Sequence, residues 1–190
     1  MNRHELRTLA AALPIMVLAS GAVSAAQDVD ILAMFAAADG QHRVGLAAKT
    51  RPVAGRPALA GEIITTLIKG EGVETRSKPA EAGDVVVRNR CPETGNEEYL
   101  IKAARVADRY GAPSGTPDAG GWREYSPKGV EMRYFIVSPT EGPWTFNAPW
   151  GEGMVARSGD AIVQDPKNPK DTYRIAAASF RCTYAIIRAP

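Results

Sequence analysis

The chain has 190 residues, 45% of them apolar and 23% charged, a composition that suits a folded protein and excludes a disordered one. A formal charge of +2, with no long run of Lys or Arg, leaves no nucleic-acid footprint. Eighteen glycines and fourteen prolines favour turns and short strands over a helical bundle.

Residues 1–25 read as a signal peptide. Arg3 and Arg7 outweigh Glu5, an uncharged apolar stretch occupies residues 8–23, and Ser24, Ala25 and Ala26 supply the small residues that a signal peptidase needs. Cleavage is placed after Ala25, with Ala26 as the second choice. The stretch is short for a membrane span. The competing reading is a buried N-terminal helix of a cytosolic protein. On the export reading the mature chain is periplasmic or secreted and keeps no membrane span.

Downstream, DILAMFAAA at 30–38 predicts a short helix with Asp30 as N-cap and Gly40 beyond its end. EIITTLI at 62–68 reads as a strand, or as the start of a helix. GDVVVRN at 83–89 predicts a Gly-Asp turn, Gly83-Asp84, followed by a strand. A polar turn with Pro92 and Gly95 precedes a returning strand from Tyr99, and residues 103–109 add one or two helical turns that end at Tyr110. GAPSGTPDAGG at 111–121 reads as a linker or flexible loop. VEMRYFIV at 130–137 then reads as a strand.

From residue 151 onward the pattern recurs. GDAIVQD at 159–165 matches GDVVVRN, and YRIAAASFRCTY at 173–184 matches YLIKAARVADRY at 99–110 without a gap. Gly159-Asp160, Tyr173, Phe180 and Tyr184 thus correspond to Gly83-Asp84, Tyr99, Val106 and Tyr110. Gly151-Glu152-Gly153 likewise matches Gly70-Glu71-Gly72. Residues 165–171, with Pro166 and Pro169, take the place of the polar turn. The expected organisation is a first module with its N-terminal helix at 26–112, a linker at 113–121 and a second module at 122–190. The fold class is α+β, β-rich, with two pseudo-repeated modules of a β-hairpin plus a short helix.

The second module carries Trp150-Gly-Glu-Gly-Met154, Arg157-Ser-Gly-Asp160, Tyr173-Arg-Ile175 and Phe180-Arg-Cys-Thr-Tyr184. In these residues it resembles the PGDYG family of small bacterial and phage proteins, best over 146–184 and more weakly over 66–110. The proline before Gly-Asp in that family is Ser158 here, and Ala82 in the first copy; Val106 stands for the closing Phe and Lys69 for Trp150. What the resemblance implies is a module rather than a mechanism.

Motifs for chemistry are sparse. No metal is predicted, since C-x-x-C, H-E-x-x-H and calcium-loop spacings are missing, and no cofactor, since Gly70-Glu71-Gly72 lacks the rest of a nucleotide fingerprint. His42 with Cys91 or Cys182 would be the one Cys/His pair; a solvated histidine is the preferred reading. Cys91 and Cys182 form a disulfide or stay free thiols on equal terms. Asp84 and Asp160 read first as turn-capping carboxylates and second as an acid/base pair. Trp122, Trp144, Asn147 and Trp150 form either a ligand-stacking platform or the cap of a small core. The expected function is an exported, non-enzymatic binding or accessory protein whose partner is a small molecule, a glycan or a protein. The alternatives are a small carboxylate-dependent hydrolase-type enzyme and a cytosolic phage- or plasmid-type accessory protein.

Overall fold

A computed structural model describes residues 25–190. The signal peptide expected at 1–25 therefore lies, but for its last residue, outside the described residues.

In chain order, β1 (Gln27–Asp28) leads into α1 (Ile31–Gly40). Asp30 is the N-cap: its carboxylate accepts the N–H groups of Leu32 and Ala33 at 2.9 and 3.2 Å. Ile31, Phe35 and Ala38 recur at helical spacing and are the buried face of α1. β2 (Gly45–Lys49) and β3 (Val53–Pro57) follow, then the hairpin of β4 (Thr65–Ile68) and β5 (Gly72–Arg76). A second hairpin, β6 (Val85–Arg88) with β7 (Glu98–Ile101), runs into α2 (Ala103–Arg109). After β8 (Arg123–Tyr125) and β9 (Glu131–Ile136), the hairpin of β10 (Trp144–Asn147) and β11 (Gly153–Ala156) precedes that of β12 (Ala161–Asp165) and β13 (Asn168–Ile175). Helix α3 (Ala177–Thr183) and β14 (Tyr184–Arg188) end the fold.

The strands form a β-rich α+β fold. Five of them make the sheet β13-β12-β9-β2-β14, four make β7-β6-β3-β8, β1 lies parallel to β10 beside β11, and β4 and β5 pair alone. The hairpins before the helices share a register. Val85 faces Ile101 and Val87 faces Tyr99 in one, while Ala161 faces Ile175 and Val163 faces Tyr173 in the other. These inward residues, two apart along a pleated strand, build the local cores with Val106 and Tyr110 or with Phe180 and Tyr184. Gly83 and Gly159 stand at φ 87° and 88°, a left-handed turn conformation that costs a glycine nothing.

One sequence expectation is corrected. The polar stretch 165–171 is mostly strand: Asp165 pairs with Asn168 after a two-residue turn, and Pro169 lies within β13. Proline is tolerated there because β13 is an edge strand and loses no ladder hydrogen bond on its free side. The glycine-rich stretch 111–121 is a loop that folds back on β8. Ser114 bridges Glu124, Gly111 N–H donates to Ser126 O at 2.9 Å, and Asp118 Oδ1 accepts the N–H groups of Gly120 and Trp122. Strand pairing also crosses the expected division of the chain. β8, from beyond residue 121, completes the sheet of β3, and β2 inserts between β9 and β14. Each sheet thereby covers an edge that would otherwise stand open.

Candidate functional site

Two clamps hold the hairpin β6–β7 with α2 to the hairpin β12–β13 with α3, and a third ties β13 to the β4–β5 hairpin. Cys91, just after β6, is disulfide-bonded to Cys182 of α3. From α2, Arg105 and Arg109 reach Asp171 of β13 at 2.6 and 2.7 Å, and Arg109 reaches Asp165 at 3.3 Å. From β13, Arg174 binds Glu71 at 2.5 Å and Glu74 at 2.6 Å on the β4–β5 hairpin, as well as Asp160 at 2.8 Å. Between the clamps lies a cleft of about 710 Å³. Its size falls in the range of small-molecule sites.

The cleft collects the tyrosines that end each hairpin-and-helix unit. Tyr99 and Tyr173 come from β7 and β13, Tyr110 and Tyr184 from the C-caps of α2 and α3, and all four line the cavity. The Tyr99 and Tyr110 hydroxyls lie 2.9 Å apart. Burial pushes Tyr110 up to about 12, and it drives Tyr99 and Tyr184 well above the ordinary phenol value. All three therefore stay protonated at neutral pH, with hydroxyls that can donate.

Lys49, the last residue of β2, donates to Asn89 Oδ1 at 2.7 Å and to Tyr99 OH at 2.8 Å, both neutral acceptors. Burial among these groups, partly offset by the field of Glu97, brings its ammonium down to about 7. Glu97 is itself buried. Burial opposes its charge, yet the hydroxyls of Ser179 and Thr94 and the amide of Asn89 hold its carboxyl below the usual range.

Around Arg174 one positive charge meets three carboxylates, those of Asp160, Glu71 and Glu74. Arg157 adds a second cation at Glu71, 3.5 Å away, whereas Glu74, among the described residues, has Arg174 alone. Burial, outweighing the attraction of Arg174, pushes Glu74 up to about 7, while Arg174 itself remains charged. Because the folded value lies above the ordinary 4.5, this contribution to stability is full below about pH 4.5 and is lost as pH rises through about 7. Between about pH 5 and pH 7 the unfolding free energy should fall by on the order of 1–3 kcal/mol. Glu74→Gln should flatten that slope in urea titrations; an unaltered slope would refute the assignment.

The structure separates the aromatic residues singled out in the sequence. Trp150 lines the cleft, 40% exposed, with its ring 5.5 Å from that of Tyr173 and its Nε1 donating to Glu152 at 2.9 Å. Trp144 is only 3% exposed and belongs to the core with Phe135, so it offers no contact surface. Trp122 lies on the other sheet under the guanidinium groups of Arg88 and Arg56, at 3.9 and 5.2 Å. Asn147 is exposed on β10, paired with Gly153 and away from the cleft lining. The four residues thus form no joint surface: of them only Trp150, in the turn between β10 and β11, lines the cleft.

Asp84 and Asp160 are buried, and each ties its own turn to the helix that follows. Asp84 accepts the N–H groups of Glu81 and Ala103 and the ammonium of Lys102; Asp160 accepts those of Arg157 and Ala177 and the guanidinium of Arg174. Burial opposes ionisation of Asp84, yet these donors hold its carboxyl below the usual range. Neither aspartate lines the cleft. The cysteines, being bonded, leave His42 without a thiol partner; it sits exposed in a turn at φ 58°. Lys49, Glu74, Glu97, Arg109 and Asp171 went unnoticed in the sequence, where each is one charged residue in an unremarkable strand or turn.

Among the described residues no group of His, Cys, Asp and Glu is arranged to hold a metal ion, and no helix is long and apolar enough to cross a membrane. Comparison with protein-family models, with curated proteins and with solved structures finds no match.

Proposed function

We propose that the chain is an exported, non-enzymatic binding protein that holds a small molecule in the cleft between its two hairpin-and-helix units. The observation that carries this reading is the convergence of four tyrosines, Lys49 and Trp150 on one cavity of about 710 Å³. Polar and charged side chains converge here on a concavity whose surface is mainly apolar, the combination that a small-molecule site uses for orientation and burial. Placement outside the reducing cytosol accords with the Cys91–Cys182 bond and with the signal-like residues 1–25. The acid/base alternative gains no such support, since the Asp84 and Asp160 carboxylates are filled by their own turns.

In the same reading, the two units are diverged copies of one module. Support comes from the shared hairpin register, the paired left-handed glycines and the similarly placed N–H partners of the two aspartates, one three residues before each and one at the start of each helix. The likeness to the PGDYG family then applies to both copies.

Trp150 provides the test. Titrating the mature protein with a panel of aromatic acids, aldehydes, sugars and short peptides should yield a compound that raises the melting temperature and shifts tryptophan emission. Trp150→Phe should abolish the emission change, because Trp144 is buried and Trp122 lies elsewhere. A stabilising compound whose emission change survives Trp150→Phe would place its site outside the cleft and sink the reading.

A further inference from the structure

We propose that Lys49 captures a small aldehyde or ketone in the cleft as a reversible imine. This rests on the cleft being a ligand site and names the chemistry of its ligand. A lysine that serves as a nucleophile must reach the ligand space, must lack a carboxylate that would hold its proton, and must have a nearby acid to help oxygen leave. Lys49 meets each condition. It lines the cavity and remains partly accessible through it, and both its hydrogen-bond partners are neutral oxygens. The Tyr99 hydroxyl at 2.8 Å, backed by Tyr110 at 2.9 Å, is an acid already in place.

The groups around it agree. Tyr184 of β14 is its direct neighbour across the sheet, and Glu131 of β9 pairs with the preceding Ala48. Asn89 comes from the end of β6, and Glu97, whose oxygens are engaged by Asn89, Ser179 and Thr94, supplies the opposing field. Burial among phenols disfavours the ammonium, so a substantial share of Lys49 is free amine at neutral pH.

The step balances without an oxidant or reductant. The Nζ lone pair adds to the carbonyl carbon while the C=O π pair moves to oxygen, which takes a proton from Tyr99. Nζ, now an ammonium, gives one proton to the Tyr99 phenolate, which regains its O–H and leaves a neutral carbinolamine. Tyr99 then returns that proton to the carbinolamine hydroxyl, which departs as water while the nitrogen lone pair forms the C=N bond, and the iminium gives its last N–H proton back to Tyr99, so that amine and carbonyl become imine and water with no net proton change.

The test uses the folded full-length mature protein with 4-hydroxybenzaldehyde and sodium cyanoborohydride, which reduces the imine to a stable secondary amine. Peptide mapping near pH 7 should show labelling at Lys49 at least roughly tenfold faster than at any other lysine, with the preference lost in urea, since an ordinary lysine holds far less free amine at that pH. Labelling should rise as pH climbs through about 7 and level off above. Tyr99→Phe, which keeps the ring packing, should slow trapping at Lys49 without changing the rates elsewhere. Uniform labelling of all lysines overturns the proposal. The isosteric 4-hydroxybenzyl alcohol separates the two readings. If it shifts Trp150 emission while the aldehyde labels uniformly, the cleft reading stands and the imine falls; if it leaves emission unchanged and labelling is uniform, both fall for this class of ligand.

Discussion

Replacing Cys91 and Cys182 together by alanine is expected to lower the unfolding free energy by about 4 kcal/mol. The bond closes a loop with a sequence separation of 91, and a loop of that length restricts the unfolded chain substantially. The folded state loses comparatively little contact, because Cys91 is buried among groups that remain hydrogen-bonded, such as Thr94 and Glu97. Urea unfolding of the oxidised protein and the double variant measures the difference. The midpoint should drop, and the slope should steepen because the uncrosslinked chain expands further on unfolding. An unshifted midpoint, or two titratable thiols in the oxidised protein, would remove the clamp from this account.

Arg174→Met is the other large effect, expected to cost about 3–5 kcal/mol at neutral pH. Arg174 is 1% exposed at its side chain and is the shared cation of Asp160, Glu71 and Glu74. Taking it away strands carboxylates in a region that water reaches poorly, and that penalty greatly exceeds what an intact buried pair contributes. Protonation offers the escape, so the loss should shrink toward about pH 5. Lys102 provides the internal control. It serves Asp84 as Arg174 serves Asp160, but its side chain is 47% exposed, and Lys102→Met should cost far less than Arg174→Met. Equal costs for the two substitutions, measured by the same unfolding titration, would show that the Arg174 cluster is not the buried hub described above.

Much of the local structure was legible from the residues. Asp30 before an apolar run meant an N-cap and a helix, and a capping carboxylate does that work with its own neighbours. Gly-Asp followed by a β-branched run meant a turn and a strand, and residues 103–109 and 177–183 proved helical as expected. Aspartates at 84 and 160 were expected to cap their own turns, and their hydrogen bonds do so. Pro169, by contrast, looked like a turn residue because the sequence does not say whether its strand lies at an edge.

By itself, then, the sequence determined the short-range features: caps, turns, hairpins and the tyrosine at the end of each short helix. Their causes act within a few residues along the chain, through φ preference, side-chain-to-backbone hydrogen bonds and alternation. The tertiary structure alone decided where those pieces met. β2 entered one sheet and β8 another, Trp144 turned inward while Trp150 stayed at the cleft, and Lys49 came within 2.8 Å of a tyrosine fifty positions away. A lysine in a strand has ordinary basicity and no evident role until burial strips its water and places phenols around it, and burial is a property of the assembled fold.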